Sequence, residues 1–290
     1  MLKQISDHIW YLPKDDRTNR PALGYVVSGR SSLMIDAGNS PDHISYFYGS
    51  ARSIGLPDPE FIVLTHWHWN HIFGLSGSPA KSVAHALTNE RMHIMQRWDW
   101  SDSSLNARVA TGVETASAAE MIKKEMPVRH SFKVKPADIS FVVQCSIRIE
   151  ELDCHLIHVG GPHSDDSIVV HVPQEGVLFL GDCCYENPYR NYSLKLSELQ
   201  PVIQKLAEID ANWFLPAHSG VIEKEKYMVL LQRIEEIGTV IDDATEIDDG
   251  RNRLEAHYGR ALLQEEIDLA DQFVKGNGKF DGVPDFRGIS

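Results

Sequence analysis

Residues Phe61 to Gly74 read FIVLTHWHWNHIFG. Phe61 to Leu64 is an unbroken apolar run, short enough for a buried strand, and Thr65 ends it. His66, His68 and His71 follow within six residues, with Asn70 among them. Neutral imidazole is the commonest side-chain ligand for zinc and related metals. Two histidines at i and i+2 just past a strand end can turn toward one ion, and a third a few residues on can turn toward a neighbouring ion. The chain has 14 His in 290 residues, so a triple at this spacing, directly after an apolar run, points to a metal site over three unrelated surface residues.

Two later stretches carry the same kind of chemistry. His158 to Tyr185 reads HVGGPHSDDSIVVHVPQEGVLFLGDCCY. Gly160-Gly161-Pro162 is a tight loop that delivers His163. Ser167 to Val172 and Val177 to Leu180 are expected strands, joined by a turn at Pro173 to Gly176 and ending in Gly181-Asp182. Trp213 to Leu215 is a short strand that runs into Pro216-Ala217-His218-Ser219-Gly220.

Taken in order, these stretches resemble the metal motifs of the metallo-β-lactamase-fold hydrolases. FIVLTHWHWNHIFG is similar to the family's His-x-His-x-Asp-His-x-x-Gly, except that Asn70 stands in the Asp position. The resemblance covers about residues 5–220. It implies an α/β fold, the four-layer αββα sandwich, with metals at one edge. It further implies that His66, His68 and His163 hold a first ion, that His71 and His218 hold a second, and that Asp182 bridges the two. Asp166 would orient the His163 loop. Asp36, in Asp36-Ala37-Gly38, is either a support beneath the metal loop or a turn residue. The expected cofactor is zinc, as one or two ions, with iron or manganese as the other candidates. The expected reaction is hydrolysis of a small ester, lactone, thioester or lactam by a metal-bound hydroxide. A metal-binding protein without catalysis is the alternative.

Asn70 breaks the pattern. An amide oxygen can ligate a metal, but it carries no charge and cannot take a proton. The second ion should therefore be held less tightly, and the nucleophilic water should lose a proton acceptor. A slower natural enzyme, a non-catalytic metal binder and a deliberate inactivating substitution all fit the sequence. With Asp182 and Asn70, Tyr185 completes the candidate catalytic set: Asp182-x-x-Tyr185 is similar to lactonases that open acyl-homoserine lactones, where the Tyr hydroxyl supports the substrate carbonyl. Packing at a strand end is the plainer reading of Tyr185. Cys183 and Cys184 read as buried thiols, with a ligand role, as a Cys has in true β-lactamases, as the open alternative.

Upstream, Ile5 to Leu12, Ala22 to Ser28 and Ser32 to Ala37 read as an antiparallel meander. Ser40-Pro41-Asp42 opens a helix that should run to about Ser53. After a strand at Ser82 to Ala86, Thr88 or Asn89 should cap a helix over roughly residues 90–100, with another over Glu114 to Glu125. This insertion, about residues 89–136, should cover the metal edge and supply Trp98 or Trp100 to a pocket. Ser140 to Val143, Ser146 to Ile149 and Cys154 to His158 read as strands of a second sheet, where His155 and His158 are ordinary strand residues. The remainder, 221–290, reads as a helical extension of the same domain. Leu254, Tyr258, Leu262 and Ile267 share one helix face, Gly276 ends that helix, and Lys279 to Ser290 is a loose tail.

The bulk numbers bound the partners. A net charge of -13 repels phosphate backbones, which argues against nucleic acid. No run reaches the ~18 apolar residues of a membrane span. Met1 to Pro13 lacks the basic start and apolar core of a signal peptide, and four cysteines are too few for a disulfide scaffold. A cytoplasmic protein with a small-molecule substrate is expected, with a homodimer left open.

Overall fold

The computed structural model describes residues 1–278; the tail expected at Lys279 to Ser290 lies outside the described residues. Two mixed sheets face one another. The first holds β1 (Lys3–Gln4), β2 (Ile9–Leu12), β3 (Leu23–Ser28), β4 (Ser31–Ile35), β5 (Phe61–Leu64), β6 (Lys81–His85) and β7 (Ile139–Phe141), in sequence order across the sheet. The meander up to β4 is antiparallel, and β4 to β7 are parallel. The second sheet runs β13-β12-β11-β10-β9-β8. Its strands are β8 (Gln144–Ile149), β9 (Leu152–His158), β10 (Ile168–Val172), β11 (Val177–Gly181), β12 (Trp213–Pro216) and β13 (Ile222–Glu223).

Strand alternation explains the layers. Side chains on a strand point to opposite faces in turn. In β5, Ile62 and Leu64 join an outer core and Val63 joins the core between the sheets. In β11, Val177 and Phe179 point inward, while Leu178 and Leu180 point to the other outer core. Both faces are buried, so these strands are apolar throughout, as covered strands are. The first sheet is covered by α1 (Pro41–Ser53), the short α2 (Trp69–Ile72), α3 (Ala86–Met95), α4 (Asp102–Ala110) and α5 (Ala116–Glu125). The second is covered by α6 (Leu196–Glu208), α7 (Lys224–Ile241), α8 (Ile247–Tyr258) and α9 (Gln264–Asn277). The result is the four-layer αββα sandwich.

Four details differ from the sequence reading. Ser140 to Val143 does not open the second sheet: β7 pairs in parallel with β6, so the crossover carrying α3 to α5 returns to the first sheet. The helix expected at 90–100 starts earlier, because the His85 side chain caps α3 by accepting from the Leu87 amide. Thr88 and Asn89 are engaged elsewhere, Thr88 with Asp166 and Asn89 with Ala137 and Ser140. Residues 102–110 form an unforeseen helix, capped by Ser101. Finally, Leu254 to Ile267 is two helices, because Gly259 adopts φ 64° and ends α8.

α1 begins where the sequence put it, with the Ser40 hydroxyl accepting from the His43 amide. It lies against the loop after β5 at very close range. A Cβ on Gly74 would stand 2.0 Å from the Ala37 carbonyl oxygen, and the Gly74 amide donates to the Gly38 carbonyl at 2.9 Å. Backbone faces backbone here, so no rotamer change relieves the clash. Gly74→Ala is expected to lower stability by at least ~2–3 kcal/mol, read as a shift in the urea unfolding midpoint. A loss below ~0.5 kcal/mol would contradict this packing.

Candidate metal site

The loop between β5 and α2 is pinned from below by one carboxylate. Asp36 follows β4 with φ 62°, a left-handed conformation that Asp tolerates better than most residues. Its Oδ1 accepts from the Thr65 amide at 2.8 Å and the Thr65 hydroxyl at 2.9 Å, and its Oδ2 meets His71 Nδ1 at 2.8 Å. Asp36 is therefore both a turn residue and the support of the loop. A second buried carboxylate, Asp166, accepts from the Trp67 amide at 2.9 Å and from the Thr88 hydroxyl at 2.7 Å, and it also takes the Ser164 hydroxyl. It ties the His66–His71 loop to the loop carrying His163.

The imidazoles converge on Asp182, at the end of β11. Its Oδ2 lies 3.2 Å from His71 Nε2, 3.3 Å from His218 Nε2, 3.5 Å from His163 Nε2 and 3.9 Å from His66 Nε2. His68 Nδ1 is 2.8 Å from His163 Nε2. Ligand atoms of His66, His68 and His163 lie within 4.8 Å of one another, and so do those of His66, His71 and Asp182. Ligand atoms around a tetrahedral zinc stand roughly 3.4 Å apart, so each group can close on an ion with small side-chain movements.

The donor set fits a cation. His66 Nε2 and Asp182 Oδ1 are buried with no hydrogen-bond partner among the described residues; such orphans are costly unless something completes them. The nitrogens that face away from the cluster are held. His163 Nδ1 donates to the Glu186 carbonyl at 2.7 Å, which leaves the Nε2 lone pair facing the cluster. Burial and neighbouring imidazoles hold His66 and His68 well below the usual histidine pKa. Burial lowers His163 to about 4. All three are thus neutral near pH 7, as ligating imidazoles must be. His71 differs: burial opposes its charge, but Asp36 and Asp182 outweigh burial and raise it to about 10.

A family profile described as "Metallo-beta-lactamase superfamily" matches residues 17–241. The chain belongs to this superfamily. A Drosophila melanogaster protein named beta-lactamase-like protein 2 homolog is 24% identical over 209 residues, 71% of this chain and 60% of that one. A protein of Aspergillus versicolor named as a candidate transcription factor is 27% identical over 236 residues, 71% of this chain and 62% of that one. The chain thus spans about six tenths of the length of these curated relatives. Among solved structures, a metallo-beta-lactamase from Pontibacter korlensis is similar at TM-score 0.55 and 18% identity, over 80% of this chain and 98% of that one. The FIM-1 enzyme of Pseudomonas aeruginosa, in its mono-zinc form, is similar at TM-score 0.56 and 16% identity, over 81% and 94%. At these identities the likeness is one of fold.

This superfamily member opens its metal edge into a cavity of about 410 Å³. Asn70, His68, His163, Asp182 and His218 reach its surface, and so does Tyr185, whose hydroxyl lies 3.0 Å from Ser219 Oγ. Asn70 Nδ2 is 3.2 Å from His218 Nε2. Cys183 and Cys184 point away into the outer core as buried thiols. The insertion does contribute a wall, but through α5 and its approach: Thr115, Ser117, Ala118 and Met121. Trp98 and Trp100 are not in the pocket. Both are core residues, each with the Arg108 guanidinium 4.7 Å from its ring, an arrangement that favours a desolvated cation. Among the described residues no helix is long and apolar enough to cross a membrane.

Tyr189 escaped the sequence reading. Its ring lies 5.1 Å from that of His68 and 5.0 Å from that of Trp67, and it lines the cavity. Its hydroxyl donates to buried Glu114 at 3.0 Å. No local pattern announces this, because the two residues meet only after the insertion packs against the loop that follows β11. Burial raises Glu114 to about 7, against the Thr115 amide, the Tyr189 hydroxyl and the charge of Arg108. Below the unfolded value of 4.5 the acid is protonated in both states and costs nothing. As pH rises to about 7 the unfolded chain has released the proton while the folded chain still holds it, so stability falls through that window and then levels off. Glu114→Gln keeps an acceptor for Tyr189 and has no proton to release. The variant is expected to gain on the parent by on the order of 3 kcal/mol between pH 4.5 and 7. Urea unfolding across that range tests it, and parallel stability curves would refute it.

Proposed function

We propose that this chain is a metal-dependent hydrolase of a small ester, lactone, thioester or lactam. The observation that carries the reading is the convergence of four imidazoles on Asp182, with His68 against one of them, His163, at an open cavity. His66 Nε2, His68 Nδ1 and His163 Nε2 would hold a first ion; His71 and His218 would hold a second; Asp182 would serve both. Zinc suits this nitrogen-rich set. A divalent ion there would supply a water acidified toward pKa ~7 and an electrophile for the scissile carbonyl.

The chain's own groups do the rest. Asp36 and the Glu186 carbonyl hold His71 and His163 in the tautomers that present Nε2 to the site. Tyr185 stands in the cavity wall with Ser219 fixing its hydroxyl, placed to donate to a substrate carbonyl oxygen. Burial pushes its pKa well above the usual tyrosine range, so the hydroxyl keeps its proton. Asn70 sits where a carboxylate would accept the attacking water's proton, and an amide cannot accept one. Its amide lies 3.2 Å from His218 Nε2, beside the second set of ligands. Asn70 thus weakens the second site by removing a negative charge.

Asn70→Asp tests the assignment. Metal content measured by plasma mass spectrometry should rise from about one ion toward two, and ester or lactone turnover should rise at least ~10-fold, since even indirect changes around a metal cost ~10–100-fold. A rise in metal content with no turnover on any ester, lactone, thioester or lactam would favour a metal-binding protein without catalysis. No change in either would refute the placement of Asn70 in the site.

A further inference from the structure

The walls of the cavity differ in character from its floor. Besides the imidazoles, Trp69, Met121, Tyr189 and Tyr192 line the cavity. Among the described residues no lysine or arginine lines the cavity, whereas Asp16 and Glu186 do. Asp16 is largely exposed at the rim and already paired with Lys14 at 2.7 Å. Glu186 has no ion-pair partner among the described residues.

We propose that the substrate carries no negative charge beyond its scissile group, and that its far end is an apolar or positively charged group, preferably a quaternary or primary ammonium. The inference rests on the hydrolase reading for where the carbonyl sits, over Asp182 and the imidazoles. With the carbonyl there, the far end of a small molecule lies among the remaining lining residues, which include Trp69, Tyr189 and Tyr192. A carboxylate or phosphate placed there loses water and meets no lysine or arginine among the described residues, and Glu186 adds a negative charge to the same lining. An ammonium meets aromatic ring faces, which attract cations, and the same carboxylate. A tert-butyl group gains the apolar contact alone. The net charge of -13 biases encounter in the same direction. A bound ion would leave the imidazole end net positive, because Asp182 offsets only part of its charge, so the discrimination proposed here belongs to the far end of the cavity, away from the ligands.

Three non-hydrolysable methyl ketones that differ only at the far end, as trimethylammonium, tert-butyl or carboxylate, test the proposal. They are titrated into the zinc-loaded protein, with tryptophan fluorescence as the readout, since Trp69 lines the cavity. The expected order is ammonium tightest and carboxylate weakest, with about tenfold or more between the extremes. Glu186→Gln should bring the ammonium compound toward the tert-butyl one. A carboxylate compound that binds as well as the ammonium one overturns the proposal, and so does the absence of millimolar binding by all three. The acetate esters of the matching alcohols are assayed alongside. If the ketone order holds with no ester turned over, the charge selectivity stands and the hydrolase reading falls. If the esters turn over without regard to charge, the reverse is true.

Discussion

One carboxylate, Asp36, holds the metal loop in place. It takes the amide and hydroxyl of Thr65 and the Nδ1 of His71, so it fixes both ends of the segment that carries His66 and His68. The Ala37 amide adds a bond to the His71 carbonyl at 2.8 Å. These contacts turn the end of a buried strand into a rigid mount. Without the mount, buried imidazoles with unsatisfied nitrogens would be too costly to hold so close together. Asp36 can do this because it sits at a left-handed turn that aims its side chain beneath the neighbouring strand, not along its own.

The remaining supports follow the same plan. Each histidine of the cluster that is tied down by its far nitrogen is tied to something rigid: His71 to a buried carboxylate, His163 to a backbone carbonyl. Close backbone contacts then fix the strand ends. Gly181 has φ 54°, and a Cβ there would stand 2.7 Å from Thr65. The end of β11 therefore meets the end of β5 with nothing between them, and Asp182 arrives next to His66.

How much of this was legible depended on how local the signal was. The His66-x-His68 spacing, the Gly181-Asp182 hairpin end and the Ser40-Pro41 helix start are each set within a few residues, and a sequence displays them directly. Sheet membership is not local. Ser140 to Val143 alternates like any strand, and only its partner, β6, decides which sheet it joins. The side of the insertion that faces the cavity is also nonlocal. Trp98 and Trp100 are the conspicuous residues of that segment, but Arg108 and the outer core claim them, and the wall falls to smaller residues of α5. The break between α8 and α9 was written in the sequence as Gly259 and was outweighed by an apolar spacing that continued across it. Tyr189 and Glu114 are far apart in the chain, and no short pattern links them.

The site is divided between the two sheets. His66, His68 and His71 follow a strand of the first; His163, Asp182 and His218 follow strands of the second. The bond from the Ile168 amide to the Thr65 carbonyl at 2.9 Å crosses the same seam. Neither half alone offers a closed set of ligands, so a metal ion would bind the docked sandwich and not its separated sheets. The ion would then act as a clasp across the seam, tightening the docked state in proportion to its free concentration. In such an architecture metal availability would govern how tightly the two halves hold together.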